Sequence, residues 1–156
     1  MKIISHRGNL KGPDPKNENT QSHIDIALKR SYDVEIDLWK IEGKFLLGHD
    51  KPENEVELDW LGERKDNLWI HTKNFHAFED LLKINNRYNF FYHTNEPLVL
   101  VSNGVIWSHK PNEIHYPERC IIPLLNKRRI VESKKKNWFG ICTDYPILLE
   151  KIFNDN

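Results

Sequence analysis

The sequence predicts an α/β fold, a trimmed or irregular TIM-type (β/α) barrel of about seven to eight strands with missing or short helices. Two observations carry this. Three packets of ionisable residues, His6-Arg7, Glu35-x-Asp37 and His49-Asp50, each close a short apolar or β-branched run, as a catalytic residue at the end of a barrel strand would. The chain has 156 residues, whereas a barrel of this type ordinarily takes about 250 and at the low end about 200. A barrel here must therefore be trimmed.

The elements follow in order. Lys2 to His6 reads as the first strand, and Gly8 permits a tight turn close to a ligand. A polar loop with two prolines, Leu10 to Glu18, leads to Asn19 or Thr20, either of which can cap a helix to about Arg30. Ile24, Ala27 and Leu28 give that helix its apolar face. Asp33 to Trp39 is the second strand. Glu42-Gly43-Lys44 turns the chain back into Phe45 to Gly48, carrying His49 inward over the barrel mouth. Lys51 to Asn67 is charged and reads as an irregular loop. Leu68 to Lys73 is the third strand, and Phe75, Phe78, Leu81 and Leu82 mark a helix ending near Asn85-Asn86. Asn89 to His93 is the fourth strand. For Thr94 to Asn103 a short helix is preferred to a strand, because a parallel crossover needs about a dozen residues. Val105 to Ser108, Arg119 to Leu124 and Phe139 to Asp144 complete seven barrel strands. Leu125 to Lys136 is a helical crossover, and Pro146 to Phe153 the closing helix.

Within Val34-Glu35-Ile36-Asp37-Leu38, strand alternation puts both carboxylates on one face. They repel, so a cation or strong donors must compensate, or one must take a proton. A hard divalent metal suits such a pair. On this reading Asp37→Asn relieves a repulsion and leaves the fold intact or more stable.

Composition narrows the function classes. Lys plus Arg and Asp plus Glu balance at 23 each, so no global field favours nucleic acid or an anionic membrane. The runs Lys127-Arg128-Arg129 and Lys134-Lys135-Lys136 read as a solvated face, and no nucleic-acid partner is expected. Cys120 and Cys142 sit in apolar runs, as buried thiols do. No run approaches a membrane span, and the start lacks an apolar leader segment, so the expectation is one cytoplasmic domain over residues 1–156 with no integral membrane segment. Nothing in the sequence specifies the oligomeric state.

The order H-R-G, E-N-T opening a helix, E-I-D, then G-H-D resembles the glycerophosphodiester phosphodiesterase family, which is similar in fold to the phosphatidylinositol-specific phospholipases C. The match is close up to Asp50 and thins beyond it to Ile70-His71-Thr72-Lys73 and Gly140-Ile141-Cys142-Thr143-Asp144-Tyr145-Pro146. The chain also looks like a compact branch associated with bacterial surface-glycan genes. The resemblance implies a small-molecule phosphodiester substrate and a divalent cation, Mg²⁺ or Ca²⁺. It implies that a neighbouring substrate hydroxyl attacks phosphorus to give a cyclic phosphate, which water then opens.

On the residues matched, His6 and His49 are the candidate acid–base pair, since histidine titrates near neutrality. Arg7 and Lys73 are candidates for the phosphate, and Glu35, Asp37 and His71 for the metal. Glu18 could ligate the metal, hold Arg7, or favour the helix dipole. The departure is His71, where the family carries an acid. Imidazole suits softer ions, so Mn²⁺, Co²⁺ or Zn²⁺ becomes an alternative to Mg²⁺ or Ca²⁺. His93, Trp107 and His109 fall at or near later strand ends, Trp107 reading as core, and Asp144 can orient a neighbour or cap the last helix. The alternative to an enzyme is a protein that binds phosphate or a phosphodiester with weak or no turnover.

Overall fold

The computed structural model describes residues 1–84, 88–132 and 137–155. Seven parallel strands form the barrel wall: β1 (Lys2–His6), β2 (Asp33–Ile41), β5 (Leu68–Thr72), β6 (Asn89–Phe91), β8 (Ile106–Ser108), β9 (Cys120–Pro123) and β10 (Gly140–Thr143). Their order around the wall is β6-β5-β2-β1-β10-β9-β8. These are the seven strands the sequence predicts.

Alternation divides each strand between two environments. Ile4, Trp69, Phe91, Trp107, Ile121 and Cys142 fill the interior, with Val101. The other face packs on helices. Val34, Ile36, Leu38, Leu68 and Ile70 meet Ile24 and Ala27 of α1 (Gln21–Lys29), Leu61 of α2 (Leu58–Arg64) and Leu81 of α3 (Phe75–Lys83). Ile122 and Ile141 meet Ile130 of α4 (Lys127–Glu132) and Leu149 of α5 (Pro146–Asn154). Deep in the wall Asp33 accepts hydrogen bonds from Lys2 Nζ (2.6 Å), Asn67 Nδ2 (2.9 Å) and Trp69 Nε1 (3.0 Å).

Trimming is visible in the crossovers. Between β8 and β9 there are only two single 3₁₀ turns, Pro111–Glu113 and Pro117–Arg119. Between β6 and β8 stands β7 (Leu98–Leu100), antiparallel to β8. This corrects the helix expected over Thr94 to Asn103. The length argument holds for a parallel strand, whereas an antiparallel partner needs only a tight turn. That turn is closed by Val101 N–H to Val105 O (2.8 Å), with Gly104 at φ 85°. At the start of this segment Thr94 holds the Glu96 carboxylate through its backbone N–H (2.8 Å). No ladder joins β6 to β7 among the described residues; the seam is bridged at Ser102, whose N–H donates to Phe90 O (2.9 Å) and whose Oγ accepts from Phe90 N–H (3.0 Å).

Two further expectations change. Lys51 to Asn67 is ordered, containing β4 (Asn54–Val56), antiparallel to β3 (Lys44–Leu47), and α2. Buried Val56 and Leu61 anchor it, and Arg64 Nε donates to Asp25 Oδ1 (2.7 Å). Its many exposed charges hide those anchors in the sequence. Phe75 and Leu82 of α3 are exposed, and Ala77 and Leu81 form the buried face. Asn85-Asn86 and Lys134-Lys135-Lys136 lie outside the described residues; Lys127-Arg128-Arg129 is exposed, as a solvated face should be. Both cysteines are buried free thiols. Among the described residues no helix is long and apolar enough to cross a membrane.

Candidate functional site

The inward-facing rows of the wall end in polar groups at one mouth. β1 delivers His6 and then Arg7, β2 delivers Glu35 and Asp37, β5 delivers His71 and then Lys73, and β10 is followed by Asp144. The β2–β3 hairpin returns to the same mouth. Gly48 makes that return possible: its φ is 149°, and a Cβ there would lie 2.1 Å from Lys51 O. Gly48 is pinned by its N–H to Asp37 O (3.2 Å) and by Trp39 Nε1 to its carbonyl (2.6 Å), which aims His49 into the mouth.

Asp37 is the centre of the cluster. It is buried, and its Oδ2 accepts from Asn19 Nδ2 at 3.0 Å and lies 3.2 Å from His49 Nδ1. Arg7 Nε is also 3.0 Å from Oδ2 with its N–H off line, so that contact is Coulombic rather than a hydrogen bond. Its Oδ1 lies 3.1 Å from His71 Nδ1 and 3.4 Å from Lys73 Nζ. Burial opposes ionisation, but the bonds to His49 and His71 and the charges of Arg7 and Lys73 overcome it. They hold the carboxyl well below the ordinary carboxylate range.

Glu35, two residues away on the same strand face, has the opposite fate. It is buried, and burial together with the charge of Asp37 pushes its carboxyl above the ordinary value. Its Oε2 has no hydrogen-bond partner and lies 3.8 Å from His6 Nε2. The repulsion between the two acids is thus resolved unequally: Asp37 takes the donors, and Glu35 is left to a proton or a cation.

His6 is held from its other side. Its Nδ1 is 2.7 Å from Asp144 Oδ1, which also accepts from Asn9 Nδ2 (2.8 Å). Because a carboxylate only accepts, this contact places a proton on Nδ1 and leaves Nε2 facing the mouth. Burial works against charging the ring, yet the Asp144 bond and the charge of Glu35 prevail, and His6 titrates above its ordinary value. Asp144 therefore orients a neighbour; Tyr145 holds the N-cap position of the last helix, with no side-chain cap bond.

Glu18 resolves toward one of its three readings. Its Oε2 accepts from Arg7 Nη1 (3.1 Å), and its Oε1 accepts from Asn9 Nδ2 (2.8 Å) and Asp14 N–H (3.2 Å). It braces Arg7 and stands outside the Glu35, Asp37 and His71 group. Arg7 and Asn19 both adopt left-handed backbone, φ 55° and 56°, joined by Asn19 N–H to Arg7 O (3.2 Å). Such strain persists only where surrounding contacts impose it.

Asn19 is a residue whose role the sequence conceals. It appears there as a helix cap, but Thr20 caps α1, and Asn19 bonds Asp37 through both its Nδ2 and its Oδ1, which accepts from Asp37 N–H (3.0 Å). His93 and His109 also gain a place. His93 stacks on His71 with centroids 4.5 Å apart and planes at 15°, and His109 tilts against His93 at 5.5 Å. Burial, then the charge of His71, pulls His93 down to about 4. Parity with Phe91 and Trp107 is the signal that could have found both. Trp107 itself is buried, stacked on Phe91 at 4.7 Å.

One oxygen each from Glu35 and Asp37 and one nitrogen of His71 lie within 4.8 Å of one another. Together with the orphaned Glu35 Oε2, this donor set fits a single divalent cation.

Comparison with known proteins places the fold. No family model matches the chain, and no curated protein matches it by sequence. Among solved structures, a glycerophosphodiester phosphodiesterase from Agrobacterium tumefaciens str. C58 superposes with a TM-score of 0.60 at 14% identity, over 98% of this chain and 99% of that one. A putative glycerophosphoryl diester phosphodiesterase from Silicibacter pomeroyi DSS-3 gives 0.54 at 11% identity, over 99% and 93%. The chain therefore has the trimmed barrel fold of the glycerophosphodiester phosphodiesterases.

Proposed function

We propose that this protein is a phosphoric diester hydrolase that cleaves a phosphodiester bearing an adjacent hydroxyl. The observation that carries the reading is convergence. Residues from three separated motifs, Arg7, His49, and His71 with Lys73, meet on one buried carboxylate, with His6 beside them on Glu35.

In this reading His6 is the base. Its Nε2 lone pair takes the proton of the attacking hydroxyl, and Asp144 stabilises the imidazolium that forms. His49 is the acid. Its Nδ1 is held between Arg7 Nη2 at 2.7 Å and Asp37 Oδ2 at 3.2 Å, which leaves Nε2 to carry the proton for the leaving oxygen. Oxygen–phosphorus bond formation to the neighbouring hydroxyl releases the alcohol and leaves a cyclic phosphate. Water opens it with the two histidines in exchanged roles. Arg7 and Lys73 offset the phosphate charge. A divalent cation held by Glu35, Asp37 and His71 would supply Lewis-acid polarisation of a phosphoryl oxygen.

Turnover of 2-hydroxypropyl p-nitrophenyl phosphate, a chromogenic diester with an adjacent hydroxyl, across a metal screen tests the reading; no release with any of Mg²⁺, Ca²⁺, Mn²⁺, Co²⁺ or Zn²⁺ overturns it. One observation favours a second reading, a phosphodiester-binding protein with weak turnover: the Asp37 oxygens already have Arg7, Asn19, His49, His71 and Lys73 around them, so the cluster is charge-compensated without a cation. That reading predicts phosphate binding undiminished by chelators.

Two predictions belong here. Asp144→Asn removes the acceptor that raises His6, so the acid limb of the kcat/KM profile should move to lower pH, and turnover at neutral pH should fall. An unmoved limb would show that Asp144 does not govern the base. The second concerns His71, which replaces a carboxylate by a neutral nitrogen. His71→Glu should shift metal preference from Mn²⁺, Co²⁺ or Zn²⁺ toward Mg²⁺ and Ca²⁺. Calorimetric titration of wild type and variant decides: identical metal order and affinities would mean that His71 only bonds Asp37.

A further inference from the structure

The mechanism above uses His71 but leaves His93 and His109 without work. Neither is a core residue: His93 is half-buried and His109 exposed. They continue one line of rings that begins beside Asp37. His71, 3.1 Å from Asp37, lies parallel to Phe91 at 5.3 Å and 2°. His93 lies on His71 at 4.5 Å, and His109 steps outward again at 5.5 Å and 49°. The line is fixed from beneath. Phe91 and Trp107 stack under it at 4.7 Å, His71 Nε2 is 3.3 Å from His93 O, and His109 N–H donates to Pro97 O at 2.8 Å. The result is a held wall of stacked rings leading outward from Lys73 and His71 and ending in the exposed ring of His109.

Such a wall suits a flat-faced substituent. Aromatic faces receive the C–H face of a sugar ring, and imidazole nitrogens can bond its hydroxyls. The proposed chemistry adds a second requirement, a hydroxyl beside the phosphoester. A sugar ring esterified next to a free hydroxyl satisfies both at once, whereas an open-chain alcohol satisfies only the second.

We infer that His93 and His109 form the subsite for the attacking alcohol and that this alcohol is a sugar ring. This rests on the proposed hydrolase and names its substrate class. The ring hydroxyl attacks phosphorus, its proton passes to His6, the bond from phosphorus to the other alcohol breaks, and that oxygen takes the proton of His49. The product is a cyclic phosphate on the sugar.

The test compares two chromogenic diesters that undergo the same reaction. One is the 3-(p-nitrophenyl phosphate) of methyl riboside, and the other is 2-hydroxypropyl p-nitrophenyl phosphate. The wild type should favour the ring by about tenfold or more in kcat/KM, the scale of one ring stacked on an aromatic face. His109→Ala should bring the ratio toward one, and His109→Phe should restore most of it. A wild-type ratio near one, or an unchanged ratio in His109→Ala, overturns the inference. If neither diester is cleaved, the hydrolase reading fails, and calorimetry still judges the wall. Methyl riboside 3-phosphate should then bind the wild type more tightly than inorganic phosphate and lose that advantage in His109→Ala. Equal binding of the two by the wild type overturns the subsite as well.

Discussion

Diester turnover should fall by about a hundredfold or more in His6→Ala and in His49→Ala, the usual scale for removing a general acid or base. The double variant should be little worse than either single one, because residues that share one proton-transfer cycle act as a unit. Both variants should fold. His49 is at the rim, and His6 is held at the mouth by Asp144 rather than by packing on apolar neighbours. Single-turnover kinetics on a chromogenic diester, with circular dichroism as a folding control, checks this. Unchanged turnover in either single variant would remove that histidine from the reaction.

Asp37→Asn should be strongly destabilising, by about 3–5 kcal/mol, the cost of removing one partner from a buried ion pair. This reverses what the two neighbouring acids suggest in the sequence. The field at Asp37 is set by Arg7 and Lys73 and by bonds to His49 and His71, not by Glu35. An amide leaves Lys73 without this counter-charge and takes from the mostly buried Arg7 one of its carboxylate partners, Glu18 remaining. The sign with pH follows. The folded Asp37 lies below its ordinary value of 3.8, so its contribution is present above that pH and is lost as pH falls through the lower folded value. Glu35 behaves oppositely. Its folded value is raised above 4.5, so its burial costs stability increasingly as pH rises above 4.5. Glu35→Gln should therefore stabilise the metal-free protein at neutral pH. Urea unfolding of both variants with chelator present decides; an Asp37→Asn variant as stable as wild type would sink the account.

The barrel strands were legible because each is a short apolar run with period two, and each parallel strand brings an inward polar residue to the same mouth. Hence His6, Asp37 and Asp144 could be found from local pattern. What stayed hidden depends on pairing. Whether Leu98–Leu100 is helix or strand is decided by β8, a partner that lies later in the chain. Which acid stays charged is decided by Arg7, Asn19 and Lys73, brought to Asp37 from three other segments. The braces Asn9 and Asn19 look like ordinary loop polar residues until the backbone turns them inward. The family resemblance, not local pattern, sets His71 beside the acids, and the structure brings one ligand atom of each of the three within 4.8 Å.

The seam between β6 and β7 bears on how the molecule breathes. Among the described residues every other join in the wall is a ladder of backbone bonds, but this one is carried by Ser102, by Asn103 Nδ2 donating to Asn89 Oδ1 (2.9 Å) and by the packing of Phe91 on Trp107. Opening there exposes few paired amides and leaves the β1, β2 and β10 ladders untouched, so it is a low-energy route to a partly unzipped state. His93 and His109 hang from the two sides of that join. The ring-stacking wall thus spans a join with few backbone bonds, while Asp37 and His6 sit beside full ladders. Amide exchange should be fastest among the barrel strands at β6 and slowest at β2. The reacting groups can then keep their spacing while the substrate-facing side gives way to admit a bulky alcohol.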